Sequence, residues 1–464
     1  MTEVRPMDID AILNRIDEDL DASLDRLFAL LRIPSISTDP AYHEDCQRAA
    51  KWLADDLQAL GFDSSVRQTP GKPMVVGKSA PVEGKPNILF YGHYDVQPVD
   101  PLDLWEADPF DPRIVTRSDG SKIIVARGAC DDKGQLMSFV EALRAIKAVE
   151  GRLPAGFTIL FEGEEESGSP SLPGFVEEAG EELRADAAFV CDTGMWDKDT
   201  PAIAMTLRGL VAEEFEIRAA NRDLHSGQFG GPARNPNHVV AKILADLHDE
   251  TGRVTVPGFY DGVIEPSDEL KANWASLKMT PEAFLGPIGL ANPAGEEGRT
   301  VLEQVWTRPT CEVNGMIGGY TGAGFKTVIP GIASAKVSFR LVGKQNAMAV
   351  RDAFRAFVEE RVPEDCSVTF IGHGASPAFH VPEDWEMLAR GREALEAEWG
   401  VDTAMVGMGG SIPIVRNFKE DLGMDTLMIG FAQEDDNVHS PNEKYDLTSF
   451  HKGIRSWARV LASL

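Results

Sequence analysis

The stretch Phe157–Ser169, FTILFEGEEESGS, restricts the fold more than any other. Its apolar run, Phe157 to Phe161, stops at Glu162, and Glu164, Glu165 and Glu166 follow. A short run rich in β-branched and aromatic residues predicts a buried strand. Three adjacent carboxylates at its end repel one another, so water or a cation must surround them. A lone Glu-Glu-Glu is ordinarily a solvated acidic loop. Here, however, other apolar runs end in the same way. Asn87 to Tyr91 leads into Gly92-His93-Tyr94-Asp95, and Ala187 to Cys191 leads into Asp192. Thr426 to Gly430 precedes Asp435-Asp-Asn-Val-His439-Ser440. Between them, Arg127-Gly-Ala-Cys-Asp-Asp-Lys-Gly134 opens a helix striped with Leu136, Phe139, Val140, Leu143 and Ile146.

Strands that alternate with helices imply a mostly parallel sheet. Ligands of such sheets gather beyond the carboxyl ends of the strands. His93, the Asp131 turn, Glu164 to Glu166, Asp192 and His439 can therefore converge. Helices are also expected at Ile9 to Leu31, about Asp45 to Leu60, and around Trp385 to Gly400. The middle of the chain follows another plan. The order from Val211 onward is strand, helix, strand, strand, helix, strand, the split βαβ arrangement. Gly252 to Pro309 reads as an insertion in it. The fold class is thus α/β, with an inserted α+β domain at about residues 206–382. The first domain comprises residues 1–205 and 383–464.

The chain has 464 residues, enough for two or three domains. Its net charge of −29 argues against nucleic acid and anionic membrane surfaces as partners. The five cysteines are scattered and never in CxxC spacing, which disfavours a disulfide framework or a thiolate metal site. No signal peptide is expected from MTEVRPMDID, and no apolar run reaches the ~18 residues of a membrane span. A reducing, cytoplasmic setting fits these features.

Imidazoles with carboxylates suit zinc, and also manganese or cobalt. Two such ions usually share a bridging group, and Asp131 or Asp132, set among small residues, suits that role. Each feature alone has a plainer reading, a packed histidine or an aspartate cap; five on one sheet edge do not.

Gly92–Pro98 (GHYDVQP), Arg127–Gly134 (RGACDDKG), Glu162–Ser169 (EGEEESGS) and His439–Glu443 (HSPNE) resemble, in this order, the signature set of the co-catalytic di-zinc exopeptidases. That family includes carnosinase, nonspecific dipeptidase, carboxypeptidase G, aminoacylase and succinyl-diaminopimelate desuccinylase. The resemblance spans essentially the whole chain, and the inserted lid is most similar to the carnosinase and nonspecific dipeptidase branch. It implies that Asp131 bridges two metals, with His93 and Asp192 completing one site and Glu166 and His439 the other. Asp95 would hydrogen-bond the His93 imidazole, and Glu165 would be the general base. The division of labour among the three glutamates comes from the motif, because their spacing does not separate them. Asp132 stands where some relatives carry Asn and receives no duty.

The resemblance also implies a homodimer joined through the lids. His225 in Asp223-Leu-His-Ser-Gly227 would stabilise the oxyanion of the neighbouring subunit, and Thr327 would make a second contact across it. Arg340, on a strand between Phe339 and Leu341, would grip the substrate carboxylate, while Gly410, Ser411 and His373 would touch substrate. The activity so implied is metal-dependent cleavage of dipeptides or similar small peptides with a free C-terminal carboxylate. The alternatives are a deacylase or desuccinylase acting on N-acyl amino acids and a catalytically inert metal-binding scaffold. The intact Glu165 speaks against the scaffold, since metal binding needs no base. A Ser/His/Asp hydrolase finds no Gly-x-Ser-x-Gly elbow.

Overall fold

The computed structural model describes residues 6–409 and 412–464. The chain forms two compact units. The first consists of residues up to Ala204, Val381–Val406 and Ile412–Leu464; the second is Met205–His380 with a short stretch that begins at Gly407.

In the first unit the strands lie in the order Asp63–Arg67, Met74–Lys78, Gly156–Glu162, Asn87–His93, Ala187–Val190 and Thr426–Met428. The last four run parallel to one another, and the first two are antiparallel additions at one edge. Every residue of Gly156–Glu162 and of Ala187–Val190 is buried, as a near-continuous apolar strand in a covered sheet should be. The parallel direction puts His93, Glu162, Val190 and Met428 at one sheet edge, where the sequence changes abruptly from apolar to ionisable.

The helix Lys133–Glu150 crosses this sheet with Leu136, Phe139, Val140, Leu143 and Ile146 buried, and Gly151 ends it in a left-handed cap at φ 69°. Helices Ile9–Glu18, Leu20–Leu31 and Leu447–Ala462 pack against it. The single helix expected from Ile9 to Leu31 is therefore two. Asp19, a weak helix former, closes the first through its N–H to the Arg15 carbonyl and begins the second.

Trp457 is 1% exposed and meets the rings of Phe90, Phe139 and Phe189 with centroids 5.2–6.0 Å away. Trp457→Ala should lower the unfolding free energy by about 3–5 kcal/mol in urea titration. Trp457→Phe should be milder, because the indole N–H has no hydrogen-bond partner among the described residues to lose.

The second unit is the expected strand-helix-strand-strand-helix-strand arrangement. Its antiparallel sheet has the order Thr310–Gly318, Ile332–Leu341, Gly209–Arg218, Ser367–Ser376. Helices Pro236–Ala245 and Ala347–Glu359 bury Val239, Val240, Ile243, Phe354 and Phe357 against Val211, Phe215 and Ile217. The opposite face of the sheet stays open, so residues alternate buried and half-buried along Gly209–Arg218. Residues 252–309 supply three short helices, Asp268–Ser276, Pro281–Leu285 and Val301–Trp306. Among the described residues no helix is long and apolar enough to cross a membrane.

Candidate active site

His93 closes its strand in register with Glu162 and is fully buried. Its Nδ1 lies 3.2 Å from the Asp95 carbonyl oxygen and 3.5 Å from Asp95 Oδ1. A ring nitrogen facing two acceptors carries the proton, which leaves the lone pair on Nε2. That Nε2 lies 3.0 Å from Asp131 Oδ1 but has no hydrogen-bond partner among the described residues. A buried lone pair aimed at a carboxylate oxygen is an unsatisfied arrangement unless a cation lies between them.

Asp131 supplies such oxygens in two directions. Its Oδ1 faces His93, and its Oδ2 lies 3.0 Å from His439 Nε2. His439 Nε2 is also 3.1 Å from Glu166 Oε2. The ligand atoms of His93, Asp131 and Asp192 lie within 4.8 Å of one another, and so do those of Asp131, Glu166 and His439. Tetrahedral bonds near 2.1 Å place ligand atoms about 3.4 Å apart, a spacing compatible with both groups. His439 is held at φ 61°, a left-handed conformation that non-glycine residues rarely adopt and that is often found at functional sites.

Charge leads to the same conclusion. Asp131, Asp192, Glu165 and Glu166 crowd two imidazoles, so the anionic groups outnumber their partners. Burial and then the charge of Asp131 push Asp192 up to about 7. Hydrogen bonds to Asp131 and then Glu166 take the His439 imidazole up to about 10. Burial opposes the charge of Asp131, yet His439 and His93 hold it well below the usual carboxylate range. Such a cluster calls for positive charge, and its imidazole and carboxylate donors suit a divalent metal.

The structure separates the three glutamates. Glu164 is buried and accepts from the Lys72 and Ser171 amides at 2.9 and 3.2 Å, which pins the loop. Glu166 faces His439, with Gln97 Nε2 donating to its Oε2 at 2.8 Å. Glu165 has neither duty; burial raises its carboxyl above the usual glutamate value. Asp95 accepts from the Glu165 and Glu166 amides at 3.2 and 3.1 Å, so it orients that turn as well as the His93 ring.

Asp132 points the other way. Its Oδ2 accepts the His93 amide at 3.1 Å and lies 3.4 Å from Cys191 Sγ, and burial pushes its carboxyl well up. No cysteine joins the cluster: Cys130 Sγ donates to Asp436 instead. A third acidic group, Asp435, Asp436 and Asp446, already holds a cation, the Lys444 ammonium at 2.5–2.6 Å.

In the second unit, His225 lies on a two-residue strand paired with Val328–Ile329, and the Ser226 amide donates to the Thr327 carbonyl at 3.1 Å. His225 and Thr327 are thus brought together on an exposed ribbon. His225 Nδ1 accepts the Gly227 amide at 3.0 Å, so the neutral ring carries its proton on Nε2.

Arg340 lies on the open face of the sheet, its neighbours Phe339 and Leu341 fully buried. Beside it, Arg208 donates to Thr310 Oγ1 at 2.8 Å, while its buried Nε has no partner. Burial and then the charge of Arg340 bring the Arg208 guanidinium down to about 10. The sequence pattern does not single out Arg208. His373, at the irregularity between Gly372 and Gly374, lies 3.2 Å from Glu214 Oε2, two to three residues along the sheet from the Arg340 register. Gly410 and Ser411 lie outside the described residues.

A parallel sheet whose edge gathers two imidazole–carboxylate groups around a shared aspartate, beside a half-buried glutamate outside both groups, defines a metal-dependent hydrolase of the two-metal kind. Residues 89–463 match peptidase family M20/M25/M40, and the chain belongs to that family. It is 29% identical to a Cys-Gly metallodipeptidase of Schizosaccharomyces pombe over 99% of this chain and 98% of the relative. It is 28% identical to the beta-Ala-His dipeptidase of Homo sapiens over 97% and 92% of the two chains. Among solved structures, an M20 family metallo-carboxypeptidase from Sulfolobus solfataricus superposes with a TM-score of 0.74 at 30% identity, covering 95% of this chain and 98% of that one.

Proposed function

We propose that this protein hydrolyses dipeptides with a free C-terminal carboxylate, using two divalent ions, zinc foremost and manganese or cobalt as substitutes. The observation that carries this reading is Asp131, whose two oxygens face the imidazoles of His93 and His439. The relatives named as dipeptidases support the substrate class.

His93, Asp131 and Asp192 would hold one ion, and Asp131, Glu166 and His439 the other. When bound, the pair would polarise the scissile carbonyl and make the attacking water easier to deprotonate. Glu165 takes the proton from that water and delivers it to the leaving amine; a carboxylate raised by burial is better matched to that task near neutral pH. Asp95 keeps the His93 proton on Nδ1 and anchors the amides of Glu165 and Glu166. His225, with its proton on Nε2, donates to the developing oxyanion in the neighbouring subunit. Arg340 grips the terminal carboxylate, and Thr327, His373, Gly410 and Ser411 complete the substrate contacts. The exposed His225–Thr327 ribbon and the nearby Phe325, 91% exposed, support a homodimer formed through the second unit. Sedimentation should give twice the 50.5 kDa chain mass; a concentration-independent monomer would overturn the dimer. The five unpaired cysteines suit a reducing, cytoplasmic setting.

An activity panel of dipeptides and N-acyl amino acids tests the substrate class. Cleavage of dipeptides is expected; turnover of N-acyl amino acids alone would make the chain a deacylase. Arg340→Lys should remove a forked, charge-assisted contact worth about 1.5–3 kcal/mol. KM for a dipeptide should then rise roughly 10- to 100-fold, whereas a C-terminally amidated dipeptide should show little change.

A further inference from the structure

Glu443 ends the His439 motif, yet the proposed chemistry gives it no work. It is fully buried, and its carboxylate lies under the loop that carries Asp131. Oε2 accepts from Arg127 Nη1 at 2.8 Å and from the Gly128 amide at 2.9 Å. Oε1 accepts from the Cys130 amide at 3.0 Å and the Asp131 amide at 3.1 Å. Its backbone carbonyl takes the Ala126 amide at 3.2 Å. Arg127, 1% exposed, donates its other terminal nitrogen to the Pro98 carbonyl at 2.9 Å and lies over the Trp105 ring.

These contacts have a specific shape. The Gly128, Cys130 and Asp131 amides of a tight turn point inward, with no ladder to receive them, and a buried donor without an acceptor costs about 1–3 kcal/mol. One carboxylate satisfies three of these amides and a guanidinium. It comes from a residue four positions beyond His439 and 312 positions from Asp131. The same contacts reach Pro98, at the end of the segment that begins with His93 and Asp95. Three of the five ligand-bearing segments are therefore linked through the Glu443–Arg127 pair.

We propose that Glu443 is a positioning residue for the two-metal centre. Its carboxylate moulds the turn 127–131 so that both Asp131 oxygens are presented, and it locks that turn to the segment bearing His439. This rests on the two-metal reading of Asp131 given above. A hydrogen-bonding partner behind a ligand typically contributes 10- to 100-fold in metal affinity. Glu443→Gln keeps the size and one acceptor oxygen but turns an amide NH2 towards N–H donors.

The test is zinc binding to the full-length protein by chelator competition, for wild type, Glu443→Gln and Glu141→Gln. Glu141 is an equally interior carboxylate, bonded to Arg26 and Ser23 away from the centre. Both variants should melt at lower temperature. Only Glu443→Gln should weaken zinc binding, by about 10- to 100-fold, and affect both ions, since Asp131 serves both. Zinc affinity unchanged in Glu443→Gln, with a melting loss like that of Glu141→Gln, would reduce Glu443 to a fold brace. A wild type that fails to take two ions would instead sink the two-metal reading, and this proposal with it. Should Glu443→Gln not fold, hydrogen exchange on metal-free wild type decides. Amides 128, 130 and 131 should be protected like core strands; rapid exchange there would show that the turn is not preformed and would overturn the proposal.

Discussion

Asp131→Ala should strip both ions from the protein and abolish hydrolysis. The aspartate belongs to both ligand groups, with one oxygen 3.0 Å from each histidine. Metal polarisation of a carbonyl and activation of water supply several kcal/mol of transition-state stabilisation. At about 1.4 kcal/mol per decade, kcat/KM should fall by roughly 10⁴-fold. Elemental analysis after gel filtration should find metal lost from both sites. His439→Ala should empty only the site it shares with Glu166. The contrast matters: loss of a single ion in Asp131→Ala would show that the aspartate does not bridge. Far-UV circular dichroism on the same sample separates loss of metal from loss of fold.

Glu165→Gln should leave the metal in place and remove most of the turnover. Glu165 belongs to neither ligand group, and its amide, not its carboxylate, is held by Asp95. Loss of a positioned general base lowers kcat by about 10²- to 10⁴-fold. KM should change little, since the carboxylate contributes to proton transfer rather than to substrate binding. The pH profile gives a second reading. A base works when ionised, so activity should fall as pH drops through the Glu165 pKa. Burial places that limb above the usual glutamate range. In the Gln variant the residual activity should lose this acid limb. Unchanged turnover, or an acid limb that persists, would transfer the role of base to another residue.

The fold and the candidate metal site were legible at different depths. The strands around His93, Glu162 and Asp192 could be read because buried parallel strands are apolar throughout and turn ionisable at one end. The split βαβ plan of the second unit showed in its alternating residues, as at Val337, Phe339 and Leu341. The break at Asp19 did not show, since the apolar spacing runs through it without proline or glycine. Nor could spacing distinguish Glu164 from Glu165 and Glu166. Only the backbone path reveals that Glu164 turns to the Lys72 amide while Glu166 turns to His439. Residues whose partners lie hundreds of positions away were the hardest. Glu443 stood in a motif with no function attached, and an acid without a duty beside a ligand was the one available hint. Gln97 and Asp132 likewise hold Glu166 and His93 from behind, through contacts that composition and period do not encode.

The most direct test of the two-metal dipeptidase account is to remove metal from the wild-type protein with a chelator and return zinc stepwise, following bound metal and dipeptide hydrolysis together. The account predicts no cleavage by the stripped protein and full cleavage only as the second ion per chain is bound. Cleavage that survives complete stripping, or none with two ions bound, would contradict it.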